Sequence, residues 1–332
     1  MAIVGHFASL AEAQKLVQST LLAGVVQEIY EEGSLLPELG VMTIDSQSIK
    51  YNRENTLPSA AFYDIHEQIP WNADVDFTAQ VEVELKRVIR QDVLDQFMMD
   101  TYKTPNDYRQ VILAALRKGV MRTIENKFIY GSVSSDAKEF DGLNILCPTT
   151  AGGDFDGEQD LDAGGSAHAL MSSELLQLVD KCKPKPDILL MTRTMRNYIT
   201  AWCWGKSGAI VYASSLSAVG KRIETIDGVR IVVSDYLSEN ELDNYGTEST
   251  GTGLSSIYAI RFGTIEEGGL ELCTGGDTGG VNLFKITNLA ALEDYDAEGI
   301  RLSAYLALAL GSTKAIAKIH SIDSDRAVDT AD

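Results

Sequence analysis

The sequence predicts an α+β protein, and three stretches carry that prediction. From Pro105 to Tyr130, "PNDYRQVILAALRKGVMRTIENKFIY" places apolar side chains at helical spacing. From Val75 to Leu85, "VDFTAQVEVEL" alternates apolar and polar residues at every step, the pattern of a half-buried antiparallel strand. Between about 167 and 280, short helical and strand patterns succeed one another as in one compact α/β unit.

The elements follow in chain order. "SLAEAQKLVQSTLLAGVVQEIY" opens with Ser9 as N-cap and Glu12 completing a capping box, and "EEGSLLPELG" then breaks the helix at Gly33 and Pro37. Residues 1–40 thus read as an arm with a flexible elbow. "SIKYNREN" is a short strand. The connector from it to the alternating strand is far longer than an ordinary hairpin loop of ~2–5 residues. This connector carries Phe62, Tyr63, Ile65, Ile69 and Trp71, too much apolar surface to leave in water, so it should pack on something outside its own hairpin.

In the long helix, Thr104 caps, Pro105 takes the first position and Asp107 complements the dipole. Its apolar stripe is Tyr108, Val111, Ile112, Ala115, Leu116, Gly119, Val120, Ile124 and Phe128, and Gly131 is the expected C-cap. At ~1.5 Å per residue this helix is long enough to cross a whole domain. A Gly/Asp-rich linker, "AGGDFDGEQDLDAGGS", follows. "SSELLQLVDKC" is a helix, "KPDILLMT" a buried strand, and Thr192 caps the helix "RTMRNYITAWCW". "KRIETIDGVRIVVSD" is a hairpin turning at Asp227-Gly228. "SIYAIRFG" and "GLELCTGG" are further strands, and "EGIRLSAYLALALGSTKAIAKIHSI" is an apolar strand run in which Gly311 rules out a helix. The polar tail "DSDRAVDTAD" should fray.

Composition narrows the function. The 332 residues are 45% apolar and 23% charged, ordinary for a globular protein, but the formal charge is −20. The basic run "LKRVIR" (Leu85 to Arg90) sits among acids, so sequence-independent binding to nucleic acid is disfavoured. No segment matches a signal peptide, and none approaches the ~20 apolar residues of a membrane span. Cys147, Cys182, Cys203 and Cys273 are scattered and read as reduced, mostly buried thiols.

Candidate chemistry is weak throughout. "WCWGKSG" ends like a phosphate-binding loop, yet its first glycine would fall at Thr200 and it follows a helix. "DFDGEQDLD" (Asp154 to Asp162) has its glycine at the wrong place for a calcium loop and reads as a solvated acidic turn. His6, His66, His168 and His320 lack metal-ligand spacing and read as surface or loop histidines. "GSVSS" and "GKSGA" are no nucleophile elbow, and "CTGGDTGG" is no dinucleotide loop. No catalytic, cofactor or metal residue is expected.

Taken in order, these pieces resemble the major capsid proteins of tailed bacteriophages, the Hong Kong 97-type shell fold. "IENKFIYGS…EFDGLNIL" resembles the end of that family's spine helix with its Gly-Leu anchor. "YNREN…VDFTAQVEVELKRVIRQDVLDQF" is similar to its extended loop and descending strand, and "DILLMTRTMRNYITAW…IDGVRIVVSD" to its axial domain. "IRLSAYLALALGSTKAIAKI" is similar to the last strand of the peripheral domain.

The resemblance implies an N-terminal arm (1–40), an extended-loop hairpin with flanking strands (41–90), and a peripheral domain (91–166 and 291–322) with spine helix 105–130. An axial domain (167–290) and a flexible tail (323–332) complete the division. Phe62, Tyr63, Ile65, Ile69 and Trp71 would contact a neighbouring subunit. Tyr108, Ile112, Ile124 and Phe128 would form the spine, with Phe140 and Leu143 pinning the returning chain beside it. It further implies hexamers and pentamers closing a shell around double-stranded DNA without specific binding, in a virion assembled in the host cytoplasm. A portal protein and an optional decoration protein are the implied partners. The chain enters almost directly into the arm, so a separate scaffolding protein is expected in place of a cleaved assembly domain. Residues 54–85 contain no lysine, which argues against the isopeptide cross-link some members form. An encapsulin-like bacterial compartment is the alternative. An α/β enzyme with a metal at Asp154–Asp162 is the remote one.

Overall fold

A computed structural model describes residues 35–36, 38–53, 60–69, 71, 79–101, 108–147, 159–163, 170, 172–205, 212–216, 222–239, 241, 254–275, 284–289 and 296–323. The first half contains β1 (Gly40–Ile44), β2 (Ser48–Arg53), β3 (Ala79–Glu84), β4 (Lys86–Asp95), α1 (Gln96–Thr101), α2 (Tyr108–Tyr130) and α3 (Leu143–Leu146). Next come β5 (Asp160–Asp162), α4 (Ser172–Lys181), β6 (Ile188–Met191), α5 (Arg193–Gly205), β7 (Tyr212–Leu216), β8 (Arg222–Ile226) and β9 (Val229–Val233). The last are β10 (Leu254–Ile260), β11 (Leu270–Gly275), β12 (Lys285–Leu289), β13 (Ala297–Leu310) and β14 (Ile316–Asp323).

Two sheets and a ribbon result. One sheet runs β1-β11-β13-β12, with β4 also paired to β13; the other runs β5-β14-β10-β6-β9-β8-β7; β2 and β3 form the ribbon. β13 organises the first sheet. It is antiparallel to β4 over Ala297–Leu306, to β12 over Gly299–Ser303 and to β11 over Leu306–Leu310. In the second sheet β6 is buried at all four residues, so "ILLM" shows no alternation. Its faces nonetheless divide with period two. Ile188 and Leu190 join Tyr258 and Ile260 in the central core, whereas Leu189 and Met191 join Ile257 and Ala259 beneath the helices. Leu175, Leu178 and Val179 of α4, with Met195 and Ile199 of α5, cover that second face. α5 begins as its sequence dictates: the Met195 N–H donates to Thr192 Oγ1 at 3.2 Å. The β8–β9 turn places Asp227 at φ 47° and Gly228 at φ 77°, the left-handed pair a two-residue hairpin needs.

Several expectations are corrected. The final apolar run is two strands: β13 belongs to the first sheet and β14 to the second, with Gly311 at the joint, where a Cβ would strike the Gly268 backbone. β11 and β12, expected with the 167–290 unit, pair with β13 instead; Leu270, Leu272 and Cys273 of β11 are buried in its core, whereas β12 pairs at the margin with no buried residue. On α2, Leu116, Val120, Ile124 and Phe128 are buried at four-residue spacing, with Glu125 and Ile129 buried beside them; Ala115 and Gly119 of the expected stripe are exposed. The helix ends at Tyr130 with Gly131 next, as expected, but Gly131 has no positive φ, and its N–H donates to Lys127 O at 2.9 Å. The elbow is docked where it is described, with Leu35 and Leu39 buried and Leu36 N–H donating to Glu125 Oε1 at 3.3 Å. The proposed N-terminal cap residues of the long helix, the first part of the alternating strand (75–78) and the arm before residue 35 lie outside the described residues.

The linker also holds structure. β5 runs parallel to β14, and Asp160 is buried rather than part of a solvated turn. His320, expected at the surface, is buried too, with Nε2 3.3 Å from Asp160 Oδ2. Lys318, almost fully buried, donates to Asn144 Oδ1 at 3.1 Å and lies 3.8 Å from Asp160 Oδ2. A charge on a buried strand needs a counter-charge, and the edge strand supplies it.

Burial pushes the His320 imidazole down. The Asp160 hydrogen bond and the Asp160 and Asp162 charges outweigh burial and the nearby Lys318 cation, so its pKa is raised. Burial raises the Glu241 carboxyl, against opposing hydrogen bonds from Ser256 and Tyr130 and the Lys318 and His320 charges. Both groups hold protons more tightly in the folded state. Their stabilisation is therefore present below the unfolded pKa, ~6.5 for His and ~4.3 for Glu, and is lost as pH rises through the folded values. The melting temperature should fall as pH is raised through the neutral range, and His320→Gln should flatten that fall. An identical pH profile for the variant would remove His320 as its source.

Candidate interaction surface

The β2–β3 ribbon is a finger with a fixed root. Its residues pair from Ser48↔Glu84 to Arg53↔Ala79, and Lys50 Nζ meets Glu82 Oε2 at 2.9 Å across the strands. Two side chains bind the root to the body. Tyr51 Oη donates to Leu310 O at 2.6 Å, and Arg53 donates through Nε to Gly311 O at 3.0 Å and through its terminal nitrogen to Leu310 O. The Arg53 guanidinium also lies 5.7 Å from the Tyr51 ring centroid. Burial leads the raised Tyr51 pKa, with Arg53 opposing it, so the phenol remains a donor at neutral pH.

Beyond the root, among the described residues, the finger contains a small turn in which Asp64 N–H donates to Glu67 Oε2 at 2.8 Å and His66 takes φ 72°. Its apolar side chains face water. Phe62 and Trp71 are fully exposed, Ile65 and Ile69 are 89% and 64% exposed, and Tyr63 is 43% exposed. Covering one such side chain is worth roughly 1.5–3 kcal/mol, so three bare side chains beside two partly exposed ones are a strong thermodynamic demand for a partner surface.

Phe128 and Phe140 pack as a tilted pair with ring centroids 5.5 Å apart and planes at 55°, and Ile124, Phe128, Phe140 and Leu143 share the central core. Ile112 is half-buried against Leu94, Met98 and Leu116; the side chain of Tyr108 lies outside the described residues. The returning chain closes tightly because Gly142 N–H donates to Gly131 O at 2.9 Å. Lys127 Nζ and Glu139 Oε1 bridge the same turn at 2.5 Å. Sequence reasoning missed Tyr51, Arg53 and Glu125. Nothing local marks them, since each acts on backbone atoms remote in sequence.

Chemistry is sparse here. Among the described residues no group of three His, Cys, Asp or Glu side chains could hold a metal. The four cysteines are free, and burial raises the thiols of Cys147, Cys182 and Cys273 to about 12, far from a reactive thiolate. No helix among the described residues is long and apolar enough to cross a membrane.

No family model and no curated protein matches the chain. Solved structures do. The holo-SrpI encapsulin complex of Synechococcus elongatus PCC 7942 aligns with TM-score 0.68 at 16% identity, covering 97% of this chain and 98% of that one. The capsid of a native GTA particle aligns with TM-score 0.63 at 12% identity over 95% and 98%. The capsid of the cyanophage P-SCSP1u aligns with TM-score 0.57 at 12% identity over 92% and 93%. These shell subunits match over nearly the whole of both chains: the chain has the Hong Kong 97-type capsid fold, that of tailed-phage major capsid proteins and encapsulins.

Proposed function

We propose that the protein is a major capsid protein, forming pentamers and hexamers that close an icosahedral head around the double-stranded DNA of a tailed phage. It is a structural tile, not an enzyme. The observation that carries this reading is the finger: on a fold otherwise known from shells, Phe62, Ile65 and Trp71 stand bare with no intramolecular cover. A neighbouring copy is the partner that a closed, symmetric assembly supplies to every finger at once. A scaffolding protein, a portal and a decoration protein are proposed partners, the virion is the site of action, and the host cytoplasm is the place of assembly.

A second reading has its own support. The encapsulin match covers nearly the whole of both chains, so a protein-filled bacterial compartment built from the same tile is the alternative. Particles purified from source cells separate the two. Electron microscopy should show closed shells, and nuclease-treated particles should release double-stranded DNA. A protein cargo without DNA would replace the phage reading with the compartment, and a persistent monomer would end both.

A further inference from the structure

Lys318 sits on β14 inside the second sheet, and its side chain is only 1% exposed. The sheet fixes what faces it. Ala317 and Ile319 turn beneath the helices, so Lys318 and His320 share the opposite face of the strand. Lys318 is paired with Asp160 of β5 on one side and with Tyr258 of β10 on the other. Its N–H donates to Gln159 O at 3.0 Å, which holds this register. The returning chain beyond the spine then brings in Asn144 of α3, whose Oδ1 accepts from Lys318 Nζ at 3.1 Å. α3 is held in place because Gly142 N–H is bonded to Gly131 O and Cys147 N–H to Leu143 O.

An amine, a side-chain amide and a carboxylate thus meet out of water. Asp160 Oδ2 lies 3.8 Å from Lys318 Nζ, and Asp160 Oδ1 is buried with no hydrogen-bond partner among the described residues. The surroundings add little charge. Tyr258 and Cys147 are buried beside the group, and burial raises the Cys147 thiol to about 12, so it stays neutral. Glu241 also feels the Lys318 charge, but its carboxylate is occupied by the Tyr130 and Ser256 hydroxyls. As an ion pair this arrangement is poorly satisfied for its depth. As a reaction site it is well composed: a desolvated amine is held against an amide, with a proton acceptor next to both.

We propose that Lys318 and Asn144 join in an intramolecular isopeptide bond, with Asp160 carrying the protons. Asp160 first takes one proton from the Lys318 ammonium. The Nζ lone pair attacks Asn144 Cγ, and the new N–C bond forms as the carbonyl electron pair moves onto Oδ1. Asp160 passes its proton to Nδ2, the Cγ–Nδ2 bond breaks, the carbonyl re-forms and ammonia departs. The second proton lost by Nζ travels through Asp160 to that ammonia, so one ammonium ion is released and no oxidant is needed. Asp160 ends as a carboxylate beside His320. Both partners lie in one chain, so the bond ties the turn after the spine helix to the second sheet and links no subunits. It stands whether or not the shell reading does.

The test is the intact mass of the purified full-length protein, followed by a tryptic map. The mass should fall below that of the sequence by one ammonia. Trypsin should fail to cut after Lys318, and one branched peptide should carry both Lys318 and Asn144. Lys318→Met and Asn144→Ala should each return to full mass without the branched peptide. Asp160→Asn keeps both partners but removes the proton carrier, and it should be recovered largely unlinked, since such groups contribute about 100-fold or more in rate. A parent protein at full sequence mass, cut after Lys318, overturns the proposal and leaves a plain buried hydrogen bond. An ammonia loss that maps to another asparagine overturns it equally. An Asp160→Asn protein linked as fully as the parent overturns the proton transfer. The parent measurement decides the bond itself even where a variant fails to fold.

Discussion

Deleting residues 56–74 should leave a folded subunit that cannot build a shell. The deletion takes away Phe62, Tyr63, Ile65, Ile69 and Trp71, and keeps every paired residue of the ribbon from Ser48↔Glu84 to Arg53↔Ala79. Residues 54, 55 and 75–78 would still join β2 to β3, a loop close to the ordinary hairpin length of ~2–5 residues. The Tyr51 and Arg53 bonds to Leu310 and Gly311 lie outside the deleted segment. Circular dichroism and melting should therefore match the parent, with better solubility. Assembly should be lost, because several buried side chains at ~1.5–3 kcal/mol each far exceed the ~1.4 kcal/mol that makes a tenfold change in affinity. Trp71→Ser alone should weaken assembly markedly, as large aromatic anchors dominate interfaces. Light scattering and negative-stain microscopy decide the matter: shells of normal form from the deletion variant would strip the finger of its assembly role.

The second large effect is expected at the spine end. In Gly142→Ala the new Cβ would lie 2.7 Å from Lys127 O, 2.8 Å from Gly131 N and 2.9 Å from Ile129 C, all backbone atoms that cannot swing aside. Relief requires separating the returning strand from the helix, which breaks the Gly142–Gly131 hydrogen bond and loosens Phe140 from Phe128. The loss should reach about 3 kcal/mol or more, seen as a clearly lower melting temperature and poor soluble yield. Gly119→Ala is the control of opposite sign. It sits on the exposed face of the same helix with open space around it and should gain up to ~1 kcal/mol from helix propensity. Equal melting temperatures for Gly142→Ala and the parent would show that the turn can yield.

What could be read from the chain depended on how local its cause was. The long helix, the alternating ribbon strand, the Asp227-Gly228 turn and the Thr192 cap announce themselves within a few residues, because spacing, turn conformation and capping are local physics. β4 was legible only through the resemblance, as a descending strand, and not from its own residues. "KRVIRQDVLD" looks like a charged stretch, and it becomes a strand only because β13, some 200 residues later, offers ten partners. The stripe on α2 was drawn too wide, since Ala115 and Gly119 suit either a core or an open groove and only the fold decides. His320 was misplaced because its partner, Asp160, lies in a segment whose composition suggests a linker. The bare aromatics of the finger were legible as a surplus of apolar surface, though not the two hydrogen-bonding side chains at its base.

Those two side chains have a mechanical consequence. Tyr51 and Arg53 grip the carbonyls of Leu310 and Gly311, the few atoms where the chain leaves one sheet and enters the other. Any tug on the ribbon is thus delivered at the seam of the tile, where both halves feel it together. A subunit pulled by its neighbour would be loaded along a rigid path instead of being peeled from an edge.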